Sequence, residues 1–275
     1  MNPTRAPASW TRVAIVVLFA LVWVAPLFYI LRVAFTAPLA VQAGAPPLFA
    51  PLSLENFRTV LANEDMRWAL LSSLLIGVAS TVLVLVIALP AAFVCGTREF
   101  RGRETIEGWI LSTRMLPAFV VILPYFIFFR SVHLLDTMLV LIIMHTVVSL
   151  ALAFFMLRSF FAELPKEVLE AATMEGAGAF RTFFSVALPQ VRSGVVATGI
   201  MVFIFSWNEL AFSFTLAGGA VKTGPVAILS FIAFQNVQVA PLMAAATLLI
   251  APIAILLILT QKGLVQGLSF GAVKG

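Results

Sequence analysis

Residues 165–189 read Pro-Lys-Glu-Val-Leu-Glu-Ala-Ala-Thr-Met-Glu-Gly-Ala-Gly-Ala-Phe-Arg-Thr-Phe-Phe-Ser-Val-Ala-Leu-Pro, a polar interlude in an otherwise apolar chain. Pro165 fits the first turn of a helix, where its missing N–H costs nothing. Lys166–Met174 continues in good helix formers. Gly176 and Gly178 break that helix, because glycine enters the left-handed C′ position without steric cost. A second helix is predicted over Ala179–Ala187, with Phe180 and Phe184 on one face at i, i+4 spacing. Leu188-Pro189 ends it, since proline cannot extend the hydrogen-bond ladder. Such an amphipathic helix pair lies on lipid or fits a groove on a soluble partner. Ala171 and Ala172 favour the groove, because small side chains let another surface approach closely. Glu163, Glu167, Glu170 and Glu175 oppose adhesion to anionic lipid.

The interlude separates apolar stretches on both sides. The chain has 275 residues, 62% hydrophobic and 11% charged, with a mean hydropathy of +1.09. Soluble domains are about half apolar and a quarter charged, so the solvent of this chain is lipid. Its 25 Phe and 5 Trp exclude a solvated coil. A single cysteine, Cys95, excludes an internal disulfide and a cysteine-cluster metal site, and no metal ligand set is assigned. A spanning helix needs about 20 apolar residues. Six stretches qualify: Val13–Phe35, Ala69–Cys95, Trp109–Phe129, Met138–Leu157, Gly194–Leu216 and Ala240–Leu259. The fold class is therefore all-α and polytopic, with residues 159–193 as its longest cytoplasmic loop. Residues 1–68 form an N-terminal segment with the first span and an external loop, and residues 69–275 form a five-helix core.

Lysine and arginine mark the cytoplasmic side of short loops. With the N-terminus inside, that side carries Arg5, Arg12, Arg98, Arg101, Arg103, Arg158, Lys166, Arg181, Arg192, Lys262 and Lys274. The other side carries Arg58, Arg67, Arg130 and Lys222, and Arg32 and Arg114 fall within spans. Both termini are expected in the cytoplasm. The basic balance of +5 thus reports topology and not nucleic-acid binding. The first apolar run exceeds the 7–15 residues typical of a signal peptide's core and is expected to be a retained span, although Ala43-Gly44-Ala45 would pass as a cleavage site.

Glu170-Ala171-Ala172, Gly176 and Leu188-Pro189 together resemble the EAA motif of permease subunits of bacterial ATP-binding-cassette (ABC) importers. Ser53-Leu54-Glu55-Asn56-Phe57, Leu134-Leu135-Asp136-Thr137, Ser206-Trp207-Asn208-Glu209 and the ending Gly271–Gly275 are similar to the carbohydrate branch of that family. Three departures stand out: Glu175 where the family usually has Asp, Val186 where it has Ile, and Ser72-Ser73 where it often has Asn-Ser. The resemblance implies a type I importer permease whose loop is a coupling helix pair docking on an ATP-hydrolysing subunit. Glu170, Ala171, Ala172, Gly176, Leu188 and Pro189 would carry that contact. It also implies a second permease subunit, two ABC ATPases that bind ATP and Mg, an extracytoplasmic binding protein, and a place in the bacterial inner membrane. Leu111–Pro117 and Thr260–Val265 look most like permeases for sugar alcohols such as mannitol or sorbitol.

Active transport needs an energy source, and the chain carries no Gly-x-x-x-x-Gly-Lys-Ser/Thr phosphate loop. Gly218–Thr223 comes nearest, but Val221 precedes Lys222 where glycine is required. No cofactor is therefore expected in this chain. An ion-coupled secondary transporter is the alternative; it would rest on Glu209, the sole acid well inside a span. An intramembrane serine protease would use Ser72, Ser213 and His145, but neither serine lies in a Gly-x-Ser-x-Gly sequence. Polar residues in hydrocarbon face the bundle interior or a cavity. His145 is expected to donate to a backbone carbonyl, Arg114 to snorkel toward the interface, and Glu209, if structural, to pair with an arginine or cap a neighbouring helix. A sugar site combines carboxylate, amide and aromatic surface, so Trp207, Asn208, Glu209 and Tyr125 are the candidate substrate-pathway residues.

Overall fold

The computed structural model describes residues 10–44, 48–233 and 236–269. Arg5, Lys274, the Ala45 of the candidate cleavage site and the Gly271–Gly275 ending lie outside them. The described chain is almost entirely helical. Its helices are α1 Trp10–Ala34, α2 Pro38–Gln42, α3 Glu55–Ala62, α4 Glu64–Thr97, α5 Arg103–Met115, α6 Ala118–Ser131, α7 Met138–Ala162 and α8 Lys166–Met174. They continue as α9 Ala179–Gln190, α10 Arg192–Trp207, α11 Ala211–Leu216, α12 Gly224–Ala227 and α13 Val239–Ser269. Among the described residues the only strands are the two-residue antiparallel pair β1 Ile232–Ala233 and β2 Asn236–Val237.

Four helices are each long and apolar enough to cross a membrane: α1, α4, α7 and Val239–Thr260 of α13. The count reaches six when two bent pairs are included. One is α5 with α6, bent by 93°, and the other is α9 with α10, bent by 79°. The third expected span, Trp109–Phe129, is thus not one helix. Pro117 lacks an N–H and forces the residue before it out of the helical region, and Leu116 is accordingly extended at φ −75, ψ 119. The fifth, Gly194–Leu216, is likewise interrupted: α10 stops at Trp207, and Asn208, Glu209 and Leu210 separate it from α11.

The chain divides into two compact units, Met1–Glu64 with Ile228–Ala251, and Asp65–Ala227 with Pro252–Gly275. In the first, α1 is exposed as far as Tyr29 and is buried only at Val33 and Ala34 near its end. The segment after it is fastened by polar side chains. The amide of Asn56 donates to the carbonyls of Ala34 (2.9 Å) and Thr36 (2.7 Å), and Arg32 donates to Ala50 O at 2.6 Å. These bonds give the Ser53–Phe57 stretch its local purpose: Asn56 satisfies carbonyls that a helix end leaves unpaired.

The second unit is built around α4, α7 and α10. Small residues let these helices approach closely, the usual device where lipid gives no hydrophobic drive between helices. A Cβ at Gly96 would lie 2.9 Å from Arg158 O on α7, and one at Gly194 would strike the ring of Phe160. Phe93, Phe161 and Phe183 form a buried cluster with ring centroids 5.2–6.2 Å apart. On the opposite end, Asp136 (φ +58) in the α6–α7 turn staples the loop after α11. Its carboxylate accepts four backbone N–H groups, from Gly218 (3.2 Å), Gly219 (3.2 Å), Ala220 (2.6 Å) and Val221 (3.1 Å). Partial burial pushes Asp136 up, but those four donors, Ala220 first, hold its carboxyl below the ordinary range. Asp65 and Lys222 pair at 2.8 Å beside this loop.

Candidate functional site

Two sites follow from the sequence, and the structure positions both within the second unit. The loop helix α8 spans Lys166–Met174 as expected, with Pro165 just before its first turn as the cap residue. It closes in a Schellman motif: Ala177 N donates to Ala172 O at 2.9 Å and Gly176 N to Thr173 O at 3.0 Å. Gly176 alone carries the left-handed conformation, φ +77. Gly178 is extended at φ −67, ψ 167, a conformation open to any residue, so only one of the two glycines is demanded by the turn.

The second loop helix runs past its expected end. Its middle, Thr182–Ala187, is wound as a π-helix, and the chain continues through Leu188 and Pro189 to Gln190. Proline removes one N–H and its ring crowds the carbonyl four residues back, and widened π turns absorb such a defect. The two faces of the loop differ. Phe183 and Ala187 are buried in the cluster that holds Phe93 of α4 and Phe161 of α7, and Ala172 is buried too. Glu170, Ala171, Gly176 and Pro189 are exposed, and Leu188 is half-buried. Met174 and Phe180 are more than 80% exposed, and Phe184 is exposed beside them. Glu170 also lines a cleft of about 630 Å³ between α8 and the end of α4, together with Phe93, Arg98 and Met174. Of the two alanines, therefore, one packs inward and one faces out.

The second site lies where the helices break. Arg114, His145, Ser149, Ser206, Asn208 and Glu209 line a cavity of about 290 Å³, with Val148, Leu152 and Phe205 among its apolar walls. His145, on α7, is its hub. Nδ1 lies 2.7 Å from Ser206 Oγ, and Nε2 lies 3.2 Å from Ser213 Oγ and 3.3 Å from Glu209 Oε2. Ser206 in turn meets Ser80 Oγ of α4 at 3.1 Å. The expected backbone carbonyl partner is thus replaced by side chains from α10, α11 and the break between them.

Glu209 caps α11. Oε1 accepts from Phe212 N at 2.8 Å, and Oε2 accepts from Ser213 N (2.9 Å) and Ser213 Oγ (3.0 Å). A carboxylate at a helix N-terminus meets unpaired N–H groups there. Asn208 Nδ2 donates to Ile204 O at 2.8 Å. The cavity brings together Asn208 and Glu209 but not the two aromatic candidates. Trp207 is buried, its ring 5.6 Å from Phe203. Tyr125 packs on Phe129 and Phe212. Ser80 is not marked by any motif, and Ser206 enters the sequence reading only within the Ser206–Glu209 stretch; hydroxyls recurring in apolar helices are the signal for both. Among the described residues no cluster of His, Cys, Asp and Glu suits a metal.

Residues 88–270 match the model of a family described as binding-protein-dependent transport system inner membrane component. The chain belongs to this family. It is a multi-pass inner-membrane permease, and the family is one of transporters, not enzymes. The permease is 33% identical to the trehalose transport system permease protein SugB of Mycobacterium tuberculosis (strain CDC 1551 / Oshkosh), over 82% of this chain and 83% of that one. It is 31% identical to the diacetylchitobiose uptake system permease protein DasC of Streptomyces coelicolor (strain ATCC BAA-471 / A3(2) / M145), over 97% of both. Its fold matches a chain in the crystal structure of a bacterial ABC transporter involved in the import of the acidic polysaccharide alginate. That match has a TM-score of 0.80 and 20% identity, covering 95% of this chain and 99% of that one.

Proposed function

We propose that this permease carries a sugar or sugar alcohol across the cytoplasmic membrane, driven by ATP hydrolysis on a separate subunit. The observation that carries this reading is the alignment, along 97% of its length, with a permease named for diacetylchitobiose uptake. The sugar-alcohol preference rests on the Leu111–Pro117 and Thr260–Val265 stretches. Its partners are a second permease subunit, two ATPases that hold ATP and Mg, and an extracytoplasmic binding protein. Glu170, Ala171, Gly176, Leu188 and Pro189 contact the ATPase, with Met174, Phe180 and Phe184 adding exposed apolar surface, while Ala172 holds the coupling helix in place from beneath. Both termini are cytoplasmic, so the loop faces the ATPase. Asn208 and Glu209 lie on the substrate pathway, and Tyr125 and Trp207 support its walls.

The test is uptake of labelled mannitol, glucose and trehalose into proteoliposomes holding the complete complex and its binding protein. Uptake of at least one solute that requires ATP supports the proposal. Uptake driven by an ion gradient without ATP hydrolysis refutes it.

A further inference from the structure

The segment that follows α1 carries a surface used neither by the coupling loop nor by the cavity at the helix breaks. From Val33 to Leu54 the sequence holds no Asp, Glu, Lys, Arg or His, and its only polar side chains are those of Thr36, Gln42 and Ser53. Leu39, Leu48, Phe49 and Leu52 in this stretch are 63–88% exposed. Exposed apolar clusters of this kind mark contact with a partner or a membrane.

The backbone beneath that surface is fastened. Thr36 and Leu52 form an antiparallel bridge, flanked by Ala37 N donating to Pro51 O at 3.1 Å and Ser53 N to Phe35 O at 2.7 Å. Arg32 Nη1 donates to Thr36 Oγ1 at 3.1 Å. Arg32 Nη2 donates to Leu48 O at 3.3 Å and Ala50 O at 2.6 Å. One guanidinium thus grips the carbonyls on both sides of Phe49, with Ala50 buried and Phe49 turned out. Arg32 lies in the last turn of α1, so Phe49 is held at the depth where that helix ends. A helix of 25 residues rises about 37 Å at 1.5 Å per residue. That exceeds the hydrocarbon core of about 30 Å, so the helix end reaches the headgroup boundary.

We propose that Leu39, Leu48, Phe49 and Leu52 form an interfacial anchor seated in the bilayer leaflet where α1 ends, with Arg32 as the residue that sets its depth. The occupant is phospholipid. The exposed apolar surface of α1, through Phe28 and Tyr29, leads along the chain into this segment and continues lipid contact past the helix end. Irregular backbone is excluded from the hydrocarbon itself, whereas an apolar face at the headgroup–acyl boundary is stable there. A soluble partner is disfavoured by charge: a stretch without one ionisable side chain offers nothing to steer encounter or fix register. The anchor is independent of which solute the permease carries and of the side on which α1 ends.

The experiment uses the complete complex in phosphatidylcholine vesicles, with Cys95→Ala and a single cysteine, Phe49→Cys, carrying an environment-sensitive fluorophore. Arg58→Cys on the exposed face of α3 is the aqueous control. Two quenchers are compared: iodide on both sides of the membrane, and phosphatidylcholine bearing a nitroxide near the top or near the end of its acyl chain. The label at 49 should emit to the blue of that at 58, lose most of its emission to the shallow nitroxide and less to the deep one, and resist iodide. Iodide quenching as strong at 49 as at 58 leaves the segment in water and overturns the anchor. Resistance to both quenchers means that protein covers the surface, and a spectral shift only when the loaded binding protein is added makes that protein the occupant; each overturns it. Stronger quenching by the deep nitroxide overturns the interfacial depth. Arg32→Gln, which cannot hold both carbonyls, should raise iodide quenching at 49 and not at 58; no change at 49 overturns the role of Arg32. None of these outcomes bears on sugar uptake, which is measured separately.

Discussion

Glu209→Gln discriminates between a capping and a transport role for the acid at the α10–α11 break. The native carboxylate accepts from Phe212 N at 2.8 Å, Ser213 N at 2.9 Å and Ser213 Oγ at 3.0 Å, with His145 Nε2 at 3.3 Å. Glutamine keeps one oxygen and turns the other into a donor. Either Phe212 N–H or the Ser213 pair then faces an NH₂ group that cannot accept. Losing a hydrogen bond to a charged group costs about 1.5–3 kcal/mol. For a chain of this size that corresponds to a fall in melting temperature of roughly 3–10 °C. Glu209→Ala, which removes every acceptor, should cost more, and Ser213→Ala, which removes one donor, less. The assay is thermal unfolding of the purified complex followed by tryptophan fluorescence, with yield recorded in parallel. If Glu209→Gln leaves melting temperature and yield at wild-type values while altering the solute dependence of transport, the capping argument is refuted.

Gly176→Val places a branched side chain at φ +77, where a Cβ costs on the order of 1–2 kcal/mol; no atom lies within 4 Å of that Cβ, so the strain stays local. The variant should insert and fold but lose ATPase capture on pull-down, and wild-type assembly would refute the docking role. Asp136, held below its ordinary range by the four N–H groups, contributes stability above its unfolded value near pH 4 and loses it as pH falls through the lowered folded value. Melting temperature should therefore drop at acid pH in the native permease and show a weaker dependence there in Asp136→Asn.

The features legible in the sequence were those set by local chemistry. Helix α8 was placed residue for residue because its formers, its preceding proline and its terminating glycine lie within one short stretch. Span positions followed from hydropathy alone. The breaks were not read, although their causes were visible. Arg114, Pro117 and Pro124 interrupt the Trp109–Phe129 run without ending it by hydropathy, yet the restriction Pro117 puts on Leu116 outweighs hydropathy. Hydropathy runs through Asn208 and Glu209 as one span, and a capping role for Glu209 leaves the position of the break open. A carboxylate positioned to accept Phe212 N–H and Ser213 N–H instead makes a new helix start favourable there. The partners of His145 lie 61 and 68 residues away, beyond any local pattern. The π winding of Thr182–Ala187 is in the same class, since Phe183 is seated by Phe93 and Phe161 from other helices.

The bend between α9 and α10 connects these two sites by a single element. α9 carries the exposed Phe180 and Phe184, turns by 79° at Val191, and becomes α10, which ends at the cavity residues Asn208 and Glu209. A helix of 16 residues extends about 24 Å at 1.5 Å per residue, and its close contacts with α7 leave little room to flex, because Gly194 already abuts Phe160. On the proposed docking, a displacement of α9 would be delivered along α10 as a rigid rod rather than dissipated in loops. It would arrive where the rod is discontinuous, at the Glu209 cap and its bond to His145. That bond is made to α7, a different helix, so movement of α10 along α7 must strain it or break it. The cavity would then change shape at the hydrogen bonds that define its wall, a contiguous physical connection along which coupling between the two sites can travel.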